Sequence, residues 1–199
     1  RYTLGVGVGG RNEDYRTLDS PFDHRFDRLD HQVDRIRSLW AQESPGEGLD
    51  PVGPKPVQEH LPILSGAMGP KSIARSARWA DGIAGFEMDP SADALGRSVA
   101  AMDAAWEAAG RDAAPYRMTS FWCALGPDAE TQLRSYAARY LSVFGAEFAD
   151  ALAASCTAAG PDAIRRAVDD ARAAGFDEIQ LVPTTTDIAE LDRMAEVLA

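Results

Sequence analysis

The chain has 199 residues, 45% hydrophobic and 26% charged, a composition that fits one folded globular domain and excludes a tail or a fibre. Its 20 basic and 31 acidic residues give a formal net charge of −11, the wrong sign for a surface that neutralises nucleic-acid phosphates. No run of eighteen apolar residues occurs and the first residues lack the order of a secretory signal, so the expectation is a cytoplasmic protein with a small-molecule substrate, no membrane and no nucleic acid.

The chain opens without a methionine on Tyr2-Thr3-Leu4-Gly5-Val6-Gly7-Val8, a β-prone run stopped by Gly9 and Gly10. A strand is expected there, with further chain upstream of it. After a polar turn, Ser20 is placed to cap and Pro21 to open a helix in which Phe22, Phe26, Leu29, Val33, Ile36 and Trp40 recur at steps of four and three. The opposite face alternates Asp23, Arg25, Asp27, Arg28, Asp30, Asp34, Arg35 and Arg37 and reads as a solvated salt-bridge face. Residues 43–60 hold Pro45, Gly46, Gly48, Pro51, Gly53, Pro54 and Pro56, which forbid helix and predict a long surface crossing.

Residues 61–64 then form an apolar strand that ends at Ser65-Gly66-Ala67-Met68-Gly69, and Pro70 opens the next helix. Residues 83–86 make a short strand, and Ser91 is placed to cap a helix that Gly110 ends. The strongest strand candidate is 116–125, followed by helices over 129–144, 146–157 and 161–174, a strand over 178–182 and a closing helix over 188–198. Strands alternating with amphipathic helices imply a parallel sheet in a single domain over residues 1–199, and periodicity leaves both an open doubly wound sheet and a closed barrel allowed.

In either fold the ligand lies at the C-terminal ends of the strands. The most informative turn there is residues 65–72, where glycines permit close backbone approach and Lys71 and the hydroxyls of Ser65 and Ser72 add donors for an anion. Asp14, Glu87, Asp89, Asp128 and Asp187 are carboxylates at strand ends, where acid–base groups and helix caps both occur. Tyr15, Phe86, Met88 and Trp122 are candidates to wall a cofactor cleft, while Trp40, Trp79 and Trp106 fall at helical periods that suit packing. His24, His31 and His60 form no recognisable metal or triad arrangement, and Cys123 and Cys156 have no ligand spacing and read as buried free thiols.

Four motifs in series carry a resemblance. They are Leu4-Gly-Val-Gly-Val-Gly-Gly-Arg-x-Glu-Asp-Tyr15, Ser20-Pro-Phe-x-x-Arg25-x-x-Arg28-Leu-Asp, Pro62-Ile-Leu-x-Gly-x-x-Gly-Pro70 and Ala77-Arg-Trp-Ala-Asp-Gly82. Their order and spacing resemble the luciferase-like monooxygenases and their deazaflavin-dependent relatives. The resemblance implies an α/β fold of the (β/α)8 TIM-barrel type, with this sequence supplying units four to eight and the N-terminal units absent from it. It implies a flavin- or deazaflavin-dependent oxidoreductase or monooxygenase with coenzyme F-420 or FMN as cofactor, NAD(P)H as a reductant, a homodimer, and an unidentified small organic substrate. Cofactor-binding positions carried over are Gly66, Ala67, Met68, Gly69 and Ser72, with Gly9 nearby and Gly69 expected to be too closely packed for a side chain. Catalytic groups of the family lie on its first strands, so none is assigned. The barrel also gives residues 43–60 a place, as a poorly ordered excursion near its mouth. The alternatives are a noncatalytic flavin-binding relative and a phosphate-dependent barrel lyase or isomerase.

Overall fold

A computed structural model describes residues 2–199. Five strands, β1 (Leu4–Val6), β2 (Ile63–Ser65), β3 (Gly82–Ala84), β4 (Tyr116–Cys123) and β5 (Glu178–Pro183), form one parallel sheet in sequence order. Helices α1 (Asn12–Thr17) and α2 (Arg25–Trp40) follow β1, α3 (Pro70–Ser76) follows β2 and α4 (Ala92–Ala108) follows β3. After β4 come α5 (Ala129–Leu141), a 3-10 turn (Ser142–Phe144), α6 (Ala146–Ala154) and α7 (Pro161–Ala174), and α8 (Ala189–Leu198) follows β5. Sequential parallel neighbours joined by helices are the repeating unit of a barrel wall, and the edges of this sheet are β1 and β5.

Alternation along the strands separates two faces. Ile83 packs with Ile73, Leu95, Met102 and Trp106, and Phe121 and Cys123 pack with Ile164, Ala167, Val168 and Met194, so these side chains point to the helix layer. Trp122 and its register partner Val182 point to the other face, where α5 and α6 cover them with Leu133, Ala137 and Ala149. The same parallel register pairs Gly5 with Leu64, Leu64 with Gly82 and Gly82 with Tyr116, which makes these the inner face of the wall. A Cβ at Gly82 would stand 2.0 Å from the Tyr116 carbonyl oxygen, so only glycine lets β3 and β4 meet there.

The predicted strands and the main helices are all present, with three local differences. Helix α2 starts at Arg25, because Asp19 and His24 take left-handed conformations with φ of 48° and 57° and turn residues 18–24 into a separate corner. The expected polar turn after Gly10 is the six-residue helix α1, too short for an apolar period to show. Ser91 precedes α4, but its hydroxyl bonds Asp89 Oδ2 at 3.0 Å and no helix amide.

Residues 43–60 contain no helix or strand, as their prolines and glycines dictate, but their end lies away from the barrel mouth. Gln58 Nε2 donates to the Tyr2 carbonyl at 3.0 Å and His60 Nε2 lies 3.0 Å from Asp81 Oδ1, at the strands' N-terminal ends. The reason is topological: a segment that joins a helix end to the next strand of a parallel sheet must return to where strands begin.

Candidate functional site at the strand ends

A cavity of about 380 Å³ opens where β1 and β2 end. Its wall includes residues 7–10 after β1, residues 65–69 with Ser72, Phe26 and Leu29 of α2, Arg75 and Trp79, and Phe144. All six positions carried over from the resemblance, Gly9, Gly66, Ala67, Met68, Gly69 and Ser72, therefore line one cavity. Ala67 is buried beneath the turn, while Met68 is 62% exposed at its rim.

Glycine at this turn has no reason internal to the protein. Gly69 has an ordinary φ of −100°, and a Cβ there would come no nearer than 3.8 Å, to Ser72 Oγ. The protein itself thus leaves room for a Cβ at Gly69, so the expected close packing there would have to come from the bound phosphate. A Cβ at Gly66 would meet only the Val6 carbonyl at 3.6 Å, and Gly7 has nothing within 4 Å. What these missing side chains leave open is the cavity itself. Gly9 differs, since its φ of +67° is a left-handed conformation that glycine adopts freely and residues with a side chain rarely do.

The polar groups of the turn are partly engaged. Ser72 Oγ accepts from the Gly69 amide at 3.2 Å and donates to the Gly69 carbonyl at 2.8 Å, closing the start of α3 on itself. Ser65 Oγ is held by Ser76 Oγ at 2.7 Å on the helix side, and Lys71 is exposed and outside the cavity wall. Donors for an anion are therefore the backbone amides of Lys71 and Ser72, which have no backbone acceptor among the described residues.

Of the four proposed cleft-wall residues, Phe86, Met88 and Trp122 pack in one cluster and Tyr15 stands apart. Trp122 is 7% exposed and packs edge-on against Phe86, Tyr136 and Tyr140 at centroid distances of 4.8, 5.6 and 5.1 Å. Tyr15 stands elsewhere, edge-on to Phe22 at 5.2 Å with its hydroxyl on the Val8 carbonyl. Phe86 and Met88 line a separate cavity of about 300 Å³ with Glu87, Arg97 and Ser98. Sequence reading missed Phe144, which lies 3.7 Å from the position of a Gly10 Cβ and carries the α5–α6 hairpin across from β4 to the exit of β1. It sits in a turn with no periodicity to mark it.

Of the strand-end carboxylates, Asp187 accepts from the Ala189 amide at 3.1 Å, Asp89 accepts from Ser91 and from Thr157 Oγ1 at 3.0 Å, and Asp14 pairs with Arg11 at 3.6 Å. Asp128 occupies the N-cap of α5 without a side-chain bond to it. The Glu87 carboxyl is pushed up by burial, against the Ser98 hydroxyl bond that favours ionisation. Burial, with Glu190 nearby, pushes the Cys123 thiol up to about 12, so it stays protonated at neutral pH; Cys156 is buried and free as well. No group of three or more His, Cys, Asp or Glu able to hold a metal occurs among the described residues, and none of their helices is long and apolar enough to cross a membrane.

Residues 1–198 match the family model of the luciferase-like monooxygenases. The chain belongs to that family. A relative, an uncharacterised protein of Mycobacterium bovis, is 35% identical over 123 residues, which are 58% of this chain and 43% of that protein. The matched stretch is thus less than half the relative's length. Among solved structures, an F420-dependent secondary alcohol dehydrogenase in complex with an F420–acetone adduct aligns with a TM-score of 0.75 at 21% identity, over 98% of this chain and 68% of that one. The oxygenating constituent of 3,6-diketocamphane monooxygenase from Pseudomonas putida, in complex with FMN, aligns with a TM-score of 0.60 at 12% identity, over 99% of this chain and 69% of that one. The fold is therefore the luciferase-like α/β barrel, present here as five strands of its wall.

Proposed function

We propose that this luciferase-like chain holds the phosphate end of a deazaflavin (coenzyme F-420) or of FMN at Gly66, Ala67, Met68, Gly69 and Ser72, with Gly9 beside it, and serves an oxidoreductase acting on a small organic substrate. The observation that carries the reading is the cavity of about 380 Å³ at the strand ends, walled in part by Gly7, Gly66 and Gly69, whose missing side chains nothing in the protein requires. The residues fit such a group: backbone can approach closely at Gly66 and Gly69, and the Lys71 and Ser72 amides are free to donate. When bound, the cofactor ring would carry hydride or activate oxygen. The chain's own part is to receive the anion, orient the ring and, through Phe144 and the α5–α6 hairpin, keep water from one side of it.

Deazaflavin is favoured over FMN because Val8 and Met68 supply no charged or hydroxyl group at the turn, and because a deazaflavin enzyme is among the structures this chain resembles. The experiment is absorbance and fluorescence titration of the chain with coenzyme F-420 and with FMN, followed by single-turnover reduction or oxidation of the bound cofactor with NAD(P)H and small alcohols. Saturable binding of either cofactor is expected, with F-420 the tighter. Absence of binding by both would contradict the reading and leave a phosphate-dependent lyase or isomerase, and binding without any turnover would leave a noncatalytic flavin-binding relative.

A further inference from the structure

We propose that Arg25 and Arg28, at the start of α2, form a second oxyanion site on the opposite flank of residues 7–9 from the glycine turn. A cavity of about 340 Å³ lies there, walled by Gly7, Gly9, Tyr15, Ser20 and the two arginines among others. It shares Gly7, Val8 and Gly9 with the first cavity, so a ligand in one lies beside a ligand in the other.

The alternating charges of α2 are not self-neutralising. Asp27 and Asp30 turn to α3, where Arg75 reaches both and Arg78 pairs with Asp30 at 3.0 Å, while the Trp79 indole donates to Asp30 at 2.9 Å. That leaves Arg25 and Arg28 without a carboxylate partner among the described residues; each has only a backbone carbonyl, of Phe22 at 3.4 Å and of Pro21 respectively. Four arginines have a buried Nε with no acceptor: Arg25, Arg37, Arg75 and Arg117. Arg37, Arg75 and Arg117 each bind a carboxylate through Nη2, and Arg25 does not. The one carboxylate in the cavity wall, Asp14, is taken by Arg11.

The Arg25 guanidinium lies 3.8 Å over the Phe22 ring and 5.0 Å from that of Phe26, and Arg28 lies 5.7 Å over Tyr15. The neighbouring rings restrain the two guanidiniums, and N–H groups not taken by a backbone carbonyl suit phosphate or carboxylate oxygens. In a chain of net charge −11, two such unpaired and half-buried cations mark a place where negative charge is received. The oxyanion has two sources: a separate phosphorylated or carboxylated small molecule, or the anionic side chain of the cofactor. The second source rests on the cofactor reading above.

The test uses the whole chain. Arginine Nε–H resonances are followed while inorganic phosphate and, separately, tri-γ-glutamate are added. Saturable shifts at Arg25 and Arg28, with Arg117 unmoved, are expected, and Arg25→Gln or Arg28→Gln should each weaken the anion by about tenfold or more. Arg28→Lys should lose less than Arg28→Gln. If the cofactor supplies the anion, the Gln variants also bind coenzyme F-420 about tenfold more weakly, while a ring fragment lacking phosphate and glutamates binds them as it binds the parent. If a separate molecule supplies it, F-420 affinity is unchanged and only the free anion is lost. Phosphate shifts in a chain that binds neither F-420 nor FMN would sink the cofactor reading and leave this site standing. No saturable shift with either probe overturns the site, and because that measurement is made on the unsubstituted chain it holds whether or not the variants fold.

Discussion

Glu87 follows β3 and is half-buried against Ser98, with Arg97 and Asp89 close by. Burial is the largest influence on its carboxyl and raises it above its ordinary value of 4.5; the Ser98 bond and Arg97 pull the other way. The folded chain then holds this proton where the unfolded chain has released it. Stability from the group is full below the ordinary carboxylate range and is lost as pH rises through the folded value. Glu87→Gln keeps an acceptor for Ser98 and removes the ionisation, so its melting temperature relative to the parent should rise between about pH 4 and about pH 7. A difference that does not change with pH would contradict this. Individual site residues were legible to different degrees. The glycine turn was visible because glycines, a helix-opening proline and a strand end coincide in sequence. That Ser72 spends its hydroxyl on Gly69, and that Gly69 has room for a side chain, depends on distances that sequence does not carry.

Elements are tied together at the strand ends by α8. Glu190 is 1% exposed; its Oε1 accepts from the Leu125 amide at 2.6 Å and its Oε2 from Arg193 Nη1 at 2.8 Å. Thr184 adds a backbone bond to Cys123 at 3.1 Å and receives Gln132 Nε2 at 3.1 Å. The loop after β5 thereby fixes the loop after β4, and with it the root of the α5–α6 hairpin. Glu190→Ala should cost about 1.5–3 kcal/mol in urea unfolding, the range for a hydrogen bond to a charged group, and Glu190→Gln should cost less because the acceptor for Leu125 survives. Equal losses for both variants would show that the bond does not matter. Nothing in sequence marks Glu190, one acidic residue in the first turn of a helix where several are expected. The elements themselves were readable wherever an apolar period and a breaker agreed, as at α7, where Pro161 opens the helix and Gly175 closes it with φ of 93°. They were misread where the decision lay in a backbone angle: Ser20 and Pro21 satisfy every rule for a helix start, yet His24 in the left-handed region delays α2 to Arg25.

At the scale of the whole molecule, five parallel strands make a wall whose inner face carries Gly5, Leu64, Gly82 and Tyr116 and whose edges are β1 and β5. Edge strands leave one side of their backbone unpaired, so amides on the outer sides of β1 and β5 should exchange with solvent well before those of β3 and β4. Equal protection across the sheet, measured by hydrogen exchange on the same chain, would show that its edges are covered. The parallel sense of the strands followed from alternation with helices alone, whereas a barrel wall in sequence order rather than an open doubly wound sheet came from the four family motifs, because local periodicity is the same in both. The central claim concerns the place where that wall receives a cofactor, and it is tested most directly by dissociation constants of coenzyme F-420 and FMN for the parent, Gly69→Ala, Gly69→Asp and Ser72→Ala. Gly69→Asp sets a negative charge in the cavity where the phosphate is proposed to lie, and the account predicts that it weakens the preferred cofactor by about tenfold or more and by more than Ser72→Ala, whose hydroxyl acts through the helix start. Gly69→Ala, which has room, should stay folded. A folded Gly69→Asp variant that binds the preferred cofactor as tightly as the parent would contradict the account and move the phosphate to another site.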